Sequence, residues 1–101
     1  MTDRITADLD GGILLVRLNR AEKKNALTNG MYSAMADAIE RADRDPDIRV
    51  VVFAGSGEVF TAGNDLGDFL ENPPHNAESP VNRFIAGLVN TDVPLLSLIH
   101  I

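Results

Sequence analysis

The chain has 101 residues, 45% hydrophobic and 24% charged, proportions typical of a single soluble globular domain, and no apolar run approaches the roughly 20 residues of a membrane span. It has no cysteine, which excludes a disulfide scaffold, a thiolate zinc site and a cysteine nucleophile. The formal net charge of −6 is opposite in sign to that of a general nucleic-acid binder.

The chain begins with a predicted β-hairpin. Ile5–Asp10 and Ile13–Leu18 have strand composition, and Asp10-Gly11-Gly12 between them is a strong tight-turn signal because both glycines accept positive φ. No cationic-then-apolar stretch opens the sequence, so we expect no secretory signal and a cytoplasmic location.

A polar loop over residues 19–27 precedes a predicted helix over Asn29–Arg44. Thr28 is a favourable N-cap, and Pro46 disfavours helical backbone in the residue before it. Four apolar residues at helical spacing predict one buried face. They are Met31, Met35, Ile39 and Ala42.

The clearest strand is predicted over residues 48–54, whose centre is continuously apolar, as in a strand covered on both faces of an α/β sheet. Residues 71–79 form a polar loop, and a helix is expected to follow with Ser79 as N-cap and Pro80 at its first position. Its apolar residues make one amphipathic stripe: Val81, Phe84, Ile85, Leu88 and Val89. A further strand is expected from Leu95.

The segment FTAGNDL, residues 60–66, follows the predicted buried strand and precedes a predicted short helix. Its small residues leave main-chain amides accessible. A helix that begins near Asp65 directs free N–H groups toward a developing negative charge, as in an oxyanion hole. The alternative is a glycine turn between strand and helix in which Asp65 is only a cap.

Four of the nine basic residues lie within eight positions, in a chain that is acidic overall. They are Arg17, Arg20, Lys23 and Lys24. The cluster favours a phosphate-bearing ligand, held by point-charge contacts. The alternative is a solvated loop.

Together, NRAEKKNAL at residues 19–27 and FTAGNDL at residues 60–66 resemble the enoyl-CoA hydratase/isomerase (crotonase) superfamily. Its members have a hairpin, an N-R-x-E-x-x-N-A-L loop, a helix, a strand and an F-[small]-A-G-x-D-[L/I] segment. The resemblance runs from about Ile5 to Leu95. It implies an α/β fold, the crotonase-type β-β-α superhelix, of which residues 1–95 form an incomplete N-terminal portion.

The resemblance also implies roles for the residues of the second segment. The backbone N–H of Asn64 would be one of two oxyanion-hole donors to the thioester carbonyl, whereas its side chain occupies a variable position. Backbone groups of four neighbours would line the thioester and adenine region. These are Ala62, Gly63, Asp65 and Leu66.

In the first segment, Lys24 matches a position that meets the CoA phosphates, with Lys23 as a neighbour, and Ala26 lies where the backbone approaches the pantetheine arm. The implied partner is an acyl-CoA, with coenzyme A as part of the substrate. No further cofactor, metal, nucleic acid or membrane is implied. For a longer parent protein the resemblance implies a homotrimer or hexamer, formed largely through later helices.

The family's second donor follows a P-L-x-A-A-V-N-G strand, and only Val93-Pro94-Leu95 matches it here. The usual catalytic carboxylates lie later and match no residue of this chain. Three acids in the variable region are interpreted as solvated loop charges: Asp68, Glu71 and Glu78. His75 is interpreted as a surface residue.

The last six residues, LSLIHI at 96–101, depart abruptly from the family pattern. They match a translation of a common transposase-type sequencing adapter, so we expect Leu95 to be the last native residue and 96–101 to be a non-native tail. The alternative is a natural, divergent strand, which the apolar composition allows.

Three functions follow from the sequence. The first is an N-terminal piece of an acyl-CoA enzyme performing hydration, isomerisation or related enolate chemistry. The second is a catalytically inactive CoA-binding or structural remnant. The third is a doubly wound domain with Gly55-Ser56-Gly57 as a phosphate loop, which rests on a weak motif. A catalytic Ser97–His100 dyad is disfavoured because no acid is placed to orient the histidine.

Overall fold

The computed structural model of the chain describes residues 4–56, 60–61, 63–71 and 79–98. Within them, four strands form one sheet in chain order: β1 (Ile5–Asp10), β2 (Ile13–Leu18), β3 (Val50–Gly55) and β4 (Leu95–Leu98). β1 and β2 are antiparallel, whereas β2–β3 and β3–β4 are parallel. The mixed α/β architecture agrees with the fold class expected from the sequence.

The predicted hairpin is confirmed. Ile5 pairs with Leu18 at its open end and Asp10 with Ile13 at its turn. Gly11 and Gly12 have φ of +59° and +87°, a backbone conformation that residues with a Cβ adopt at a cost.

Helix α1 (Asn29–Arg44) also matches its prediction. The Thr28 hydroxyl accepts from the Met31 amide at 3.2 Å, which satisfies one of the free N–H groups of the first turn. At the other end Asp45 is extended, as expected of the residue before a proline.

The core lies between α1 and one face of the sheet. The apolar stripe of α1 is buried there with its four predicted members, and Ile39 and Met31 have no exposed surface. The inward side chains of β2 complete this layer: Leu14, Val16 and Leu18. Alternation along β2, with Ile13 45% exposed, shows that period two sets which residues face α1.

β3 is covered on both faces, as its continuous apolar run predicted. Val51 and Phe53 belong to the core facing α1, and Val52 and Ala54, which alternate with them, are also buried. The strand starts at Val50 rather than at residue 48, because the Ile48 amide donates to the Asp45 carbonyl in a turn.

Two further helices follow β3, α2 (Leu66–Glu71) and α3 (Pro80–Asn90). α3 packs on α1 through Phe84 and Gly87, and a Cβ on Gly87 would lie 3.4 Å from Ile39. Arg83 forms ion pairs with Asp37 and Glu40 of α1, and these carboxylates raise its pKa.

The amphipathic stripe of α3 is not a buried face in this chain. Ile85, Leu88 and Val89 are 51%, 41% and 76% exposed, whereas Phe84, also a member of the stripe, packs against the core. Ser79 and Pro80 occupy the predicted N-cap and first position, but the Ser79 side chain makes no capping hydrogen bond. Across the part of the chain described, no helix combines the length and apolar character needed to cross a membrane.

Candidate functional site

The two motifs singled out in the sequence lie side by side. Leu27 and Asn64 form an isolated parallel bridge outside the main sheet. The Leu27 amide donates to the Gly63 carbonyl at 2.7 Å, and the Asp65 amide donates to the Leu27 carbonyl at 2.8 Å. Segments separated by more than 30 residues in sequence are thereby held in a fixed register.

This register determines where the Asn64 amide points. In a parallel bridge of this pattern one residue makes hydrogen bonds across the bridge with both its N–H and its C=O. The N–H and C=O of the opposite residue make none across it. Leu27 is the first kind, so the N–H and C=O of Asn64 are directed away from it. No hydrogen bond joins the Asn64 N–H to any residue that the structure describes.

The neighbouring amides are occupied. The Gly63 amide donates to the Thr61 hydroxyl at 3.1 Å, and the Asp65 amide donates to Leu27. Gly63 has a φ of +95°, and a Cβ there would meet no atom within 4 Å, so backbone conformation rather than space favours glycine. Ala62 lies outside the described residues. Among the described amides 63–65, Asn64 alone has no internal acceptor.

Asp65 anchors the end of this segment. Its Oδ2 accepts from Arg20 Nη1 at 2.7 Å, in a pair whose side chains are 13% and 22% exposed. Its Oδ1 accepts from the Asp68 amide at 2.9 Å and so caps α2. The hydrogen bond from the Asp68 backbone N–H and the Arg20 guanidinium hold the pKa of the Asp65 carboxyl below its ordinary value.

The basic cluster is therefore divided. The Arg20 guanidinium donates both to Asp65 and, at 3.1 Å, to the Ala26 carbonyl. Arg20 is therefore neither a solvated loop cation nor a base presented to a ligand. Lys23 and Lys24 are exposed, and no ion pair recorded over the described ranges includes them. The Ala26 amide donates to the Lys23 carbonyl at 3.0 Å, so both backbone polar groups of Ala26 are used internally.

Asn25 is a residue whose importance the sequence did not reveal. It is fully buried and left-handed, with a φ of +58°, a conformation that asparagine tolerates better than most residues. Its Oδ1 accepts from the Arg20 amide at 2.9 Å, and its Nδ2 donates to the Ser56 carbonyl at 2.8 Å. The available signal was the place of Asn25 in the NRAEKKNAL motif.

The Asn64 side chain contacts α1. The Tyr32 hydroxyl donates to Asn64 Oδ1, and burial raises the pKa of Tyr32 above its ordinary value, so the hydroxyl stays protonated. The Tyr32 ring packs on Phe84 of α3 with centroids 5.7 Å apart. The Asn64 side chain is thus hydrogen-bonded to α1, whereas the Asn64 backbone N–H is bonded to no residue that the structure describes.

An apolar cavity of about 320 Å³ lies beside the bridge. Its walls include Leu27, Phe60, Phe84, Leu88, Leu95 and Leu96. Leu27 is one of the two bridged residues, Phe60 precedes the segment of the other in sequence, and the remaining residues come from α3 and β4. A volume near 300 Å³ is the lower end of the range for small-molecule sites.

The interpretation of Asp68 as a solvated loop charge is wrong. Asp68 lies in α2, and its Oδ2 accepts from the Asn29 amide at 2.7 Å, at the N-terminus of α1. A carboxylate there satisfies a free amide and opposes the positive end of the helix dipole. Glu71 is exposed at the end of α2, and His75 and Glu78 lie outside the described residues.

The sequence model of the family described as "Enoyl-CoA hydratase/isomerase" matches residues 8–100. The chain belongs to the enoyl-CoA hydratase/isomerase family. The reading as a doubly wound phosphate-binding domain is therefore wrong. Its loop residue Ser56 has both backbone polar groups bound internally, to Leu18 and Asn25, and Gly57 lies outside the described residues.

Individual relatives agree with this assignment. The chain is 42% identical over 64 residues to the enoyl-CoA hydratase EchA19 of Mycobacterium tuberculosis, covering 63% of this chain and 24% of that protein. It is 29% identical over 98 residues to human enoyl-CoA delta isomerase 2, covering 90% and 25%. The chain thus spans about a quarter of the length of these curated relatives.

Solved structures of the family share the fold. OdaA of Pseudomonas aeruginosa is 43% identical with a TM-score of 0.89, over 98% of this chain and 40% of that one. The enoyl-CoA hydratase/isomerase of Pseudoalteromonas atlantica T6c is 34% identical with a TM-score of 0.88, over 96% and 39%. The sheet and helices described above therefore form part of a crotonase-type fold.

Proposed function

We propose that this chain binds an acyl-CoA thioester and that the backbone N–H of Asn64 donates a hydrogen bond to the thioester carbonyl. One observation carries the proposal: the Asn64 amide is directed away from the bridge that fixes it, and its two neighbours in the segment are already bonded. Such a donor is preorganised, because no internal bond must break before it meets the ligand.

The chemistry of a thioester fits this donor. Removing a proton beside the carbonyl, or adding water across a conjugated double bond, places negative charge on the carbonyl oxygen. A fixed N–H stabilises that charge more than the neutral carbonyl, which lowers the barrier. Loss of one such donor typically costs about 10²–10³ in kcat.

Coenzyme A would extend from the thioester toward the loop at residues 19–27. Lys24, and less directly Lys23, would contact its phosphates, supported by their exposure and the engagement of Arg20 elsewhere. Ala26 would border the pantetheine arm. The backbone N–H groups of Ala26, Gly63 and Asp65 are bonded internally, so they would not donate to the ligand, and Ala26 and Gly63 would contribute through their small size. For Ala62, Asp65 and Leu66, a place in the lining of the site rests on the family resemblance.

The acyl chain would enter the apolar cavity. The cavity is lined by Leu27, which is bridged to Asn64, and by Phe60, so a thioester at Asn64 would have apolar surface within reach. Burying each methylene there would contribute about 0.8 kcal/mol. This part of the proposal predicts that affinity rises with acyl length until the cavity is filled.

Hydration, double-bond isomerisation and related enolate reactions are proposals for a longer protein, since the chain covers only about a quarter of its relatives. For the chain itself the second candidate is CoA binding without turnover. Binding without turnover is favoured because the carboxylates nearest to Asn64 in sequence, Asp65 and Asp68, are both engaged in structural hydrogen bonds. A trimeric or hexameric assembly of a longer protein rests on the family resemblance, and the cytoplasmic location stays a prediction from the sequence.

Calorimetric titration tests the proposal with three ligands: crotonyl-CoA, its S-butyl thioether analogue without a carbonyl, and free CoA. We expect crotonyl-CoA to bind more tightly than the thioether, since only the thioester has an acceptor for Asn64. Equal affinities for these two ligands would reject the carbonyl contact. Hydration of crotonyl-CoA, followed in parallel, separates the two candidates, and we expect none from the 101-residue chain.

A further inference from the structure

The segment that carries Asn64 is held by polar bonds on both sides of that residue. On the N-terminal side, the Thr61 hydroxyl donates to the Asn25 carbonyl at 2.6 Å and accepts from the Gly63 amide at 3.1 Å. On the C-terminal side, Asp65 accepts from Arg20 at 2.7 Å. Both anchors lead to the loop at residues 19–27, and neither uses the Asn64 amide.

The N-terminal anchor rests on a fixed support. The backbone of Asn25 is held by its own side chain, which joins the Arg20 amide to the Ser56 carbonyl at the end of β3. Because Asn25 has no exposed surface, its carbonyl is shielded from water, which would otherwise compete for the Thr61 hydroxyl. Thr61 therefore connects the segment to the sheet through one rigid residue.

We propose that Thr61 is a positioning residue: its hydroxyl, held by the buried Asn25 carbonyl, fixes the Gly63 N–H. Together with the Leu27 amide bonded to the Gly63 carbonyl, it sets the backbone that aims the Asn64 N–H at the thioester carbonyl. The Arg20–Asp65 pair has the same role at the other end. This inference rests on the proposed function. A donor that acts through orientation loses effect with small displacements, so removing the hydroxyl should weaken the contact even where the fold survives.

The test uses the carbonyl itself. Isotope-edited infrared spectroscopy of [1-¹³C]crotonyl-CoA bound to the chain measures the C=O stretch, which falls in frequency when the oxygen accepts a hydrogen bond. We expect Thr61→Val, which keeps the shape and loses the hydroxyl, to lose about half or more of the downshift seen in the wild type. Thr61→Ser should retain it, and the affinity for free CoA should be the same in all three proteins.

The chain offers a matched control. Thr91, which follows α3, also donates one bond and accepts one from the amide two residues on. Its hydroxyl donates to the Asp43 carboxylate at 2.5 Å and accepts from the Val93 amide at 3.1 Å. Thr91→Val should leave the carbonyl frequency unchanged. If Thr61→Val does not fold, as judged by circular dichroism, Asp65→Asn serves instead, because asparagine still caps α2 but loses the ion pair.

The outcomes are separable. No downshift in the wild type rejects the proposed function itself. A wild-type downshift that persists fully in Thr61→Val, or in Asp65→Asn where that variant is used, overturns the positioning role and leaves the proposed function standing. An equal loss of carbonyl downshift and CoA affinity also overturns it, because a general structural defect would explain both.

Discussion

The core beneath α1 and the segment around Asn64 are stabilised in opposite ways. The core is apolar, and its central side chains, such as Ile39 and Val51, have no exposed surface. The Asn64 segment is held by polar anchors made by Thr61, Gly63 and Asp65. Apolar burial is non-directional, whereas hydrogen bonds fix orientation. The core supplies stability, and the segment supplies the direction of one amide.

The largest effect should come from the core. Ile39→Ala removes a fully buried side chain that touches α3 near Gly87, and we expect a loss of about 2–5 kcal/mol in the free energy of unfolding. Urea denaturation measures it. Val89→Ala on α3, at a residue 76% exposed, is the control and should stay within about 0.5 kcal/mol. Comparable losses from both variants would contradict the division between core and exposed stripe.

A smaller effect is expected at Gly63. Gly63→Ala places a Cβ at a φ of +95°, and we expect a loss of about 1–2 kcal/mol by urea denaturation, from backbone strain alone. The control is Gly30→Ala in the first turn of α1, where a Cβ would lie 3.8 Å from Thr28 Oγ1. That change should instead stabilise by up to about 1 kcal/mol. If both substitutions changed the free energy of unfolding in the same direction, backbone φ would not be what distinguishes the two sites.

The N-cap of α1 should have a comparable or smaller effect. Thr28→Ala removes the acceptor for the Met31 amide, and we expect a loss of about 1 kcal/mol in the free energy of unfolding. Thr28→Ser keeps the hydroxyl and should retain most of the stability. If serine and alanine were equally destabilising, the cap would not be the cause.

The smallest effect should be seen in the pH dependence. Because the folded pKa of Asp65 is lowered, this carboxylate stabilises the fold above its unfolded pKa of about 3.9 and loses that contribution as pH falls through the folded value. Asp65→Asn should therefore lower the melting temperature at neutral pH and flatten its fall below about pH 4. Asp8→Asn, at an exposed residue of β1, should do neither. If the melting temperature of Asp65→Asn fell with pH as steeply as that of the wild type, another group would control the loss of stability in acid.

The same contrast explains how much the sequence could predict. The hairpin and α1 followed from local patterns: two glycines at the turn, a threonine cap and an apolar stripe. The Asn64 amide was singled out because a family motif marks it. The roles of Asn25 and Thr61 depend on a pairing between segments 36 residues apart, which no local pattern specifies.

Two errors have the same origin. Asp68 was assigned to solvent because its acceptor role depends on the Asn29 amide, 39 positions away. Arg20 was grouped with exposed bases although Asp65, 45 positions away, holds it. Charged residues were therefore harder to place than apolar ones, because periodicity identifies a buried face but not an ion-pair partner.

The most direct test compares the carbonyl stretch of bound [1-¹³C]crotonyl-CoA in the wild type, Asn64→Ala and Asn64→Pro. Proline removes the one backbone amide hydrogen in question, which makes no bond to the described residues. It also removes the side-chain oxygen that accepts from the Tyr32 hydroxyl, so alanine is the matched control. Alanine removes the side chain that Tyr32 contacts and keeps the amide. We predict a downshifted carbonyl in the wild type and Asn64→Ala and a loss of the downshift in Asn64→Pro. An unchanged downshift in folded Asn64→Pro would contradict the account.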